Sequence, residues 1–257
     1  MNAFATQVDL LWPAFAAGLI VLATHVPLGI QVLARGIIFI DLAVAQVAGL
    51  GALVAHLADG GDNPWTVQGA AVGAALAAAL LLQWSEKRWP QLQEALIGLL
   101  FVLAASGAVL LLARDAHGGE HLRDLLVGQM LWVSHRQLIA AAVASAALLL
   151  AWKAFGSRGG GLAFYMLFSV AVTVSVQLVG VYLVFASLIV PALATHGLRR
   201  ARVACGFAVG MAGYVAGLLL AALADLPAGA ASVWMMAAAG LVTSLIRSSV
   251  APLRPLC

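Results

Sequence analysis

The sequence predicts an all-α integral membrane protein, a polytopic helical bundle of about nine transmembrane helices (eight being the alternative), N-terminus outside and C-terminus inside. Three observations predict it. Of 257 residues, 64% are hydrophobic and 9% charged, against about a quarter charged in an ordinary soluble domain. Uncharged runs of about 20 residues, enough to cross a hydrocarbon core of about 30 Å, follow one another along the whole chain. The few charges sort by sign between alternate loops.

Residues 10–34 form the first run, with Thr24, His25 and Pro27 inside it, and Pro27 is expected to break the helix. Residues 36–58 form the second and enclose Asp41, a turn or two from its start. Residues 64–84, 95–113 and 137–152 follow. Gly159 to Leu198 is an uncharged stretch of 40 residues. As one helix it would be about 60 Å long, so it must fold back once, with the bend expected at Gln177-Leu178-Val179-Gly180. Residues 203–224 and 226–246 complete the set. Leu125–Ser134 is too short to cross and reads as a re-entrant or interfacial piece.

With the N-terminus outside, ten of the 13 basic residues fall in inner loops and seven of the ten acids in outer ones. An odd number of spans therefore satisfies the positive-inside rule. Glycines such as Gly206, Gly210, Gly213 and Gly217 mark close helix contacts, because small residues let backbones approach in lipid. Residues 1–257 read as a single transmembrane domain.

This composition excludes a soluble enzyme, a disordered chain and a disulfide-rich secreted one. The net charge of +3 is dispersed and follows topology, so no nucleic-acid partner is implied. Cys205 and Cys257 form no metal-binding or redox pair. The N-terminus lacks a basic region and a small-residue cleavage site, so the first segment is expected to stay as a membrane helix. No phosphate-binding loop is present, and active transport would draw its energy from a partner subunit or an ion gradient.

Ionisable groups at membrane depth point to function. Asp41 is the acid that topology leaves unexplained. His25, beside Pro27, reads either as a metal ligand or as a hydrogen-bonded packing residue. Gln46 follows Asp41 by five residues, about 140° around the helix, so the two do not share a face. His117-Gly118-Gly119-Glu120-His121 matches the H-x-x-E-H pattern of some zinc peptidases. Adjacent glycines oppose the helix that chemistry requires. The loop reads instead as ordinary polar chain, or as loose capture of divalent metal by His117, Glu120 and His121.

Five segments, in order, carry a family resemblance. They are Glu94-Ala95-Leu96-Ile97-Gly98-Leu99-Leu100-Phe101 with Ala105-Ser106-Gly107, then Leu125-Leu126-Val127-Gly128-Gln129-Met130-Leu131-Trp132-Val133-Ser134. Gln177-Leu178-Val179-Gly180-Val181-Tyr182-Leu183-Val184, Leu188-Ile189-Val190-Pro191-Ala192 and Asp225-Leu226-Pro227-Ala228-Gly229 follow. From about Gly29 to Leu245 the chain resembles the permease subunits of ATP-binding-cassette importers for zinc, manganese or iron. The resemblance implies a homodimeric, multi-pass permease of the bacterial plasma (inner) membrane, in contact with lipid. It also implies a cytoplasmic ATPase and an extracytoplasmic metal-binding protein. Zinc or manganese would be cargo and no cofactor would be held permanently. The chain itself would catalyse nothing.

In that family the ligands on the second span are an Asp and a His four residues apart, on one helix face. Here those positions carry Leu42 and Gln46, and Asp41 stands one residue early, rotated by about 100°. The metal set implied for this chain is Asp41, His25 and Gln46. The family's cytoplasmic helix after the fifth span is replaced by the short, glycine-rich stretch Trp152–Gly161. Lys153 and Arg158 there, with Glu94, are the expected ATPase contacts, or else anchors at the inner surface. The alternative reading is a divergent permease-fold protein that moves another solute or regulates without transporting.

Overall fold

A computed structural model describes residues 2–59, 63–113, 126–128, 130–155, 160–198 and 201–250. Among them are nine α-helices and no strand: α1 (Asn2–Arg35), α2 (Ile40–Asp59), α3 (Pro64–Arg88), α4 (Gln93–Leu112), α5 (His135–Phe155), α6 (Gly160–Val179), α7 (Val181–Ala194), α8 (Arg202–Ala224) and α9 (Ala228–Val250). Eight are long and apolar enough to cross a membrane. The ninth, α7, has 14 residues and rises only about 21 Å.

The fold-back falls where the 40-residue apolar stretch demanded it. α6 ends at Val179, and Gly180 turns the chain with φ +81°, a conformation that costs glycine little. α7 then runs back beside α9: Val179 at its start lies near Gly229 at the start of α9, and Arg247 near the end of α9 reaches Ala194 and His196 at its end. The nine segments thus alternate in direction, one of them foreshortened.

The 126–134 region fills the space that the short helix leaves. Met130–Trp132 forms one 3-10 turn, and Met130 and Val133 are buried against α1, α7 and α9. Gly128, with φ +73°, lies back to back with Gly180; a Cβ on Gly128 would come within 2.5 Å of the Gly180 nitrogen. The expected re-entrant or interfacial piece is therefore anchored in the bundle by Met130 and Val133, with Trp132 exposed. Leu125 and Gln129 lie outside the described residues.

One expectation is corrected. Pro27 does not break the first span: α1 runs unbroken through Pro13 and Pro27. The polar side chains just before Pro27 fold back onto their own helix, Thr24 donating to the Val21 carbonyl at 3.0 Å. A proline in a membrane helix is accommodated when nearby side chains and neighbouring helices satisfy its polar groups.

Two core clusters meet along α1 and α7. The first joins α1 to α7, α8 and α9; the second joins the C-terminal half of α1 to α2, α3, α6 and α7. Glycines set the tightest contacts. Gly206 and Gly210 face Val26 and Leu22 of α1, while Gly213 and Gly217 face Met236 and Ser232 of α9. α8 therefore presents a small-residue face on each side, as expected where close van der Waals contact drives association in lipid. Exposed Trp84 and Trp89 sit at the end of the bundle that carries Lys87 and Arg88. Exposed Trp12, Trp65 and Trp132 sit toward the other end, a pair of belts at the two interfaces.

Candidate functional site

An open groove of about 750 Å³ lies between α2, α4, α7 and α9. Leu42 and Gln46 of α2 both line it, as four-residue spacing on one helix face requires. Phe101, Ala105, Ser106 and Val109 face it from α4, Tyr182, Phe185 and Ile189 from α7, and Val233, Trp234 and Ala237 from α9. Among the described residues its polar side chains are those of Gln46, Ser106, Tyr182 and the Trp234 indole, with no carboxylate, imidazole or thiol.

Phe185 of the groove wall pairs with Phe39, which stands just before α2 and outside the lining. Phe39 lies on the same face as Leu42 and Gln46, one turn earlier. Its ring is parallel to that of Phe185 within 3°, with centroids 6.4 Å apart. Phe39 is held from behind by Glu94 in the first turn of α4, whose Oε1 accepts from the Phe39 amide at 3.3 Å. A carboxylate there satisfies an amide at the open N-terminal end of α2 and meets the positive end of its dipole.

Asp41 is the second residue of α2, not a turn or two inside it. The residues before it are used in a turn: Gly36 has φ +72°, and Gly36 and Ile37 donate back to Leu33 and Val32 at 3.3 Å each. Asp41 is fully buried, and neither carboxylate oxygen has a hydrogen-bond partner. It does not line the groove. The 100° offset read from the sequence thus separates a groove-facing pair, Leu42 and Gln46, from a buried acid.

His25 is also fully buried. Its Nδ1 lies 3.1 Å from the Val21 carbonyl and 3.0 Å from Thr24 Oγ1, while Nε2 has no partner. Asp41, His25 and Gln46 are not gathered around one point: Gln46 faces the groove, and among the described residues no three His, Cys, Asp or Glu side chains are placed to hold a metal. Lys153 is exposed near the end of α5. Glu94 is turned inward onto α2, its Oε2 buried without a partner. Arg158, His117, Glu120 and His121 lie outside the described residues.

Three arrangements were not legible in the sequence. Buried Gln93 ties α3, α4 and α6 together, accepting from Ser85 Oγ at 2.8 Å and donating to the Leu82 carbonyl at 3.0 Å and Tyr165 Oη at 3.2 Å. Two arginines cap the end of α7: Arg247 donates to Ala194 O at 2.6 Å and His196 O at 2.9 Å, and Arg202 to Ala192 O at 3.4 Å. A signal for the second existed, since free carbonyls at a helix end call for a cation. The third, the Glu94 bond to α2, joins positions 55 apart and had none.

The fold and groove are those of the membrane-spanning part of a transporter. The chain belongs to the ABC 3 transport family, whose sequence model matches residues 7–157 and 161–247. Membership identifies it as a permease of ATP-binding-cassette type, which works with a cytoplasmic ATPase and a substrate-binding partner. Among solved structures it is similar to a chain of PsaBC from Streptococcus pneumoniae in complex with Fab. That likeness has 17% identity and a TM-score of 0.77, covering 97% of this chain and 99% of the other. It is also similar to an inward-facing conformation of a putative metal-chelate type ABC transporter, at 16% identity and TM-score 0.62, covering 97% and 89%. A search of curated proteins gave no match.

Proposed function

We propose that this chain is the permease subunit of a bacterial plasma-membrane importer for a divalent metal, zinc or manganese. Two copies pair with two cytoplasmic ATPase subunits and receive cargo from an extracytoplasmic metal-binding protein. The observation that carries this reading is the groove. It runs along α2 and α7 on the open side of the bundle, and a second copy placed across it would convert it into a closed path. ATP binding and hydrolysis in the partner would open the path alternately to each side. Phe39 and Phe185 would part at its basic end, and that motion would strain the Glu94 bond. Asp41, buried and unpartnered at the start of α2, is the acid available to a cation once those helices separate.

The test is uptake of radiolabelled zinc and manganese by vesicles holding the permease with its ATPase, for the native chain and for Asp41→Asn. The variant replaces a carboxyl by an amide of the same shape, so folding is retained while uptake falls about tenfold or more, the scale of a lost group at a metal site. Unchanged uptake would remove Asp41 from the path. The second reading, a divergent permease for another solute, is favoured by one observation: among the described residues no acid or imidazole lines the groove.

A further inference from the structure

Three acids stand toward the basic end of the bundle: Asp41, Glu86 and Glu94. Two of them are accounted for at the start of α2. Glu86, in the last turn of α3, lies half-buried beside the start of another helix. Its Oε2 is 3.5 Å from where a Cβ on Gly161, the second residue of α6, would stand. The positive end of the α6 dipole favours a carboxylate there, and the glycine leaves it room.

The Tyr165 hydroxyl, one turn further along α6, accepts from Gln93 of α4 at 3.2 Å and donates to the Glu86 carboxylate. Arg35, the last residue of α1, acts electrostatically on the same hydroxyl. Its guanidinium also covers the neighbouring Phe164 ring, 4.1 Å from the centroid. Trp152 near the end of α5 meets that ring edge to face, with centroids 6.0 Å apart. The inner ends of α1, α3, α4, α5 and α6 thus converge on two consecutive buried side chains, Phe164 and Tyr165.

The position of this node gives it a mechanical role. On one side, α5 ends at Phe155 and α6 begins at Gly160, so the node lies just inside the connection expected to meet the ATPase. On the other, Arg35 precedes Gly36, the turn from which α2 starts. Close-packed side chains pass a displacement on and do not absorb it. Ring contacts tolerate offset, whereas a bond to a carboxylate is directional and about twice as strong as a neutral one. Glu86 is therefore the member of the node that fixes where the start of α6 stands.

We propose that Glu86 is the positioning residue that couples α6 to α1 and α2. A shift of the start of α6 on nucleotide binding passes through Glu86, Tyr165 and Arg35 to the Gly36 turn, and so to the groove face of α2. This rests on the reading above in which the path opens alternately to each side, and not on its choice of cargo.

The experiment uses the permease–ATPase complex in lipid nanodiscs, with Cys205→Ser and Cys257→Ser, and with Leu42→Cys as a probe on the groove wall. Labelling of the probe by a water-soluble maleimide is timed without nucleotide and with the ATPase trapped by ATP and vanadate. In this parent complex the two rates should differ about fivefold or more, the lower end of coupling between sites. Glu86→Gln keeps the shape and an acceptor but removes the charge, and Tyr165→Phe removes the hydroxyl alone. Each should bring the two rates together while ATP hydrolysis and recovery of the complex stay as in the parent. Glu86→Asp, which keeps the charge, should keep the difference. The double variant Glu86→Gln with Tyr165→Phe should be no worse than either alone, as for two groups acting as one unit. A nucleotide difference that survives Glu86→Gln would overturn the proposal. So would its loss together with ATP hydrolysis or assembly, which marks a merely structural residue. A parent complex with no difference would overturn the alternate opening itself, and the relay with it.

Discussion

The two faces of this bundle are built from opposite materials. Where α8 meets α1 and α9, glycines bring backbones together and leave no gap; a Cβ on Gly217 would run into the backbone of Ser232. Between α2 and α4 on one side and α7 and α9 on the other, the helices stand apart around about 750 Å³. The contrast separates frame from path. The glycine seams can keep only one geometry, because interiors packed at this density transmit strain and do not absorb it. The groove, lined by side chains with room to turn, is the part of the molecule that can change shape.

Substitutions can break or sharpen that contrast. The largest effect is expected for Gly217→Leu, which drives a branched side chain into α9; a loss of about 3 kcal/mol or more is expected, since overpacking a rigid contact is at the upper end of its class. Thermal unfolding in detergent reads it. Next is Arg247→Ala, which removes a guanidinium from two carbonyls at the end of α7. A loss of about 2 kcal/mol is expected for charged hydrogen bonds of this kind, visible as a lower midpoint in the same measurement. Glu94→Ala should cost about 1 kcal/mol through the lost acceptor at the start of α2, with Glu94→Gln costing less because an acceptor remains. If the two variants unfold at the same temperature, the bond to Phe39 is not what holds Glu94. The smallest effect is expected for Ala237→Leu on the groove wall, within about 0.5 kcal/mol. Were it to destabilise as much as Gly217→Leu, the division into frame and path would fail.

The sequence reading reached the fold further than the site, for a physical reason. Forty uncharged residues from Gly159 to Leu198 cannot be one span, so the turn near Gly180 followed from length alone. The site depends instead on which face of α2 meets which neighbour. Asp41 stands out in a chain so poor in charge, yet its carboxylate is turned away from the groove that Leu42 and Gln46 line. Its depth was also misplaced, because the turn at Gly36 delays the helix to Ile40. Contacts such as Glu94 to Phe39 and Gln93 to Tyr165 join distant positions, and no periodicity records them.

The shortness of α7 carries one more consequence. A helix of about 21 Å in a hydrocarbon layer of about 30 Å has to start or end below a surface. Its C-terminal end is the one pinned by the two arginines, so its first turn begins at depth, with Val181 and Tyr182 on the groove wall. A helix N-terminus carries a partial positive charge of about half a unit, and low-dielectric surroundings screen it poorly. The upper part of the groove therefore sits in a positive electrostatic potential supplied by the backbone itself. That field, carried by the backbone of α7, favours an anionic or electron-rich group on the wall at that depth.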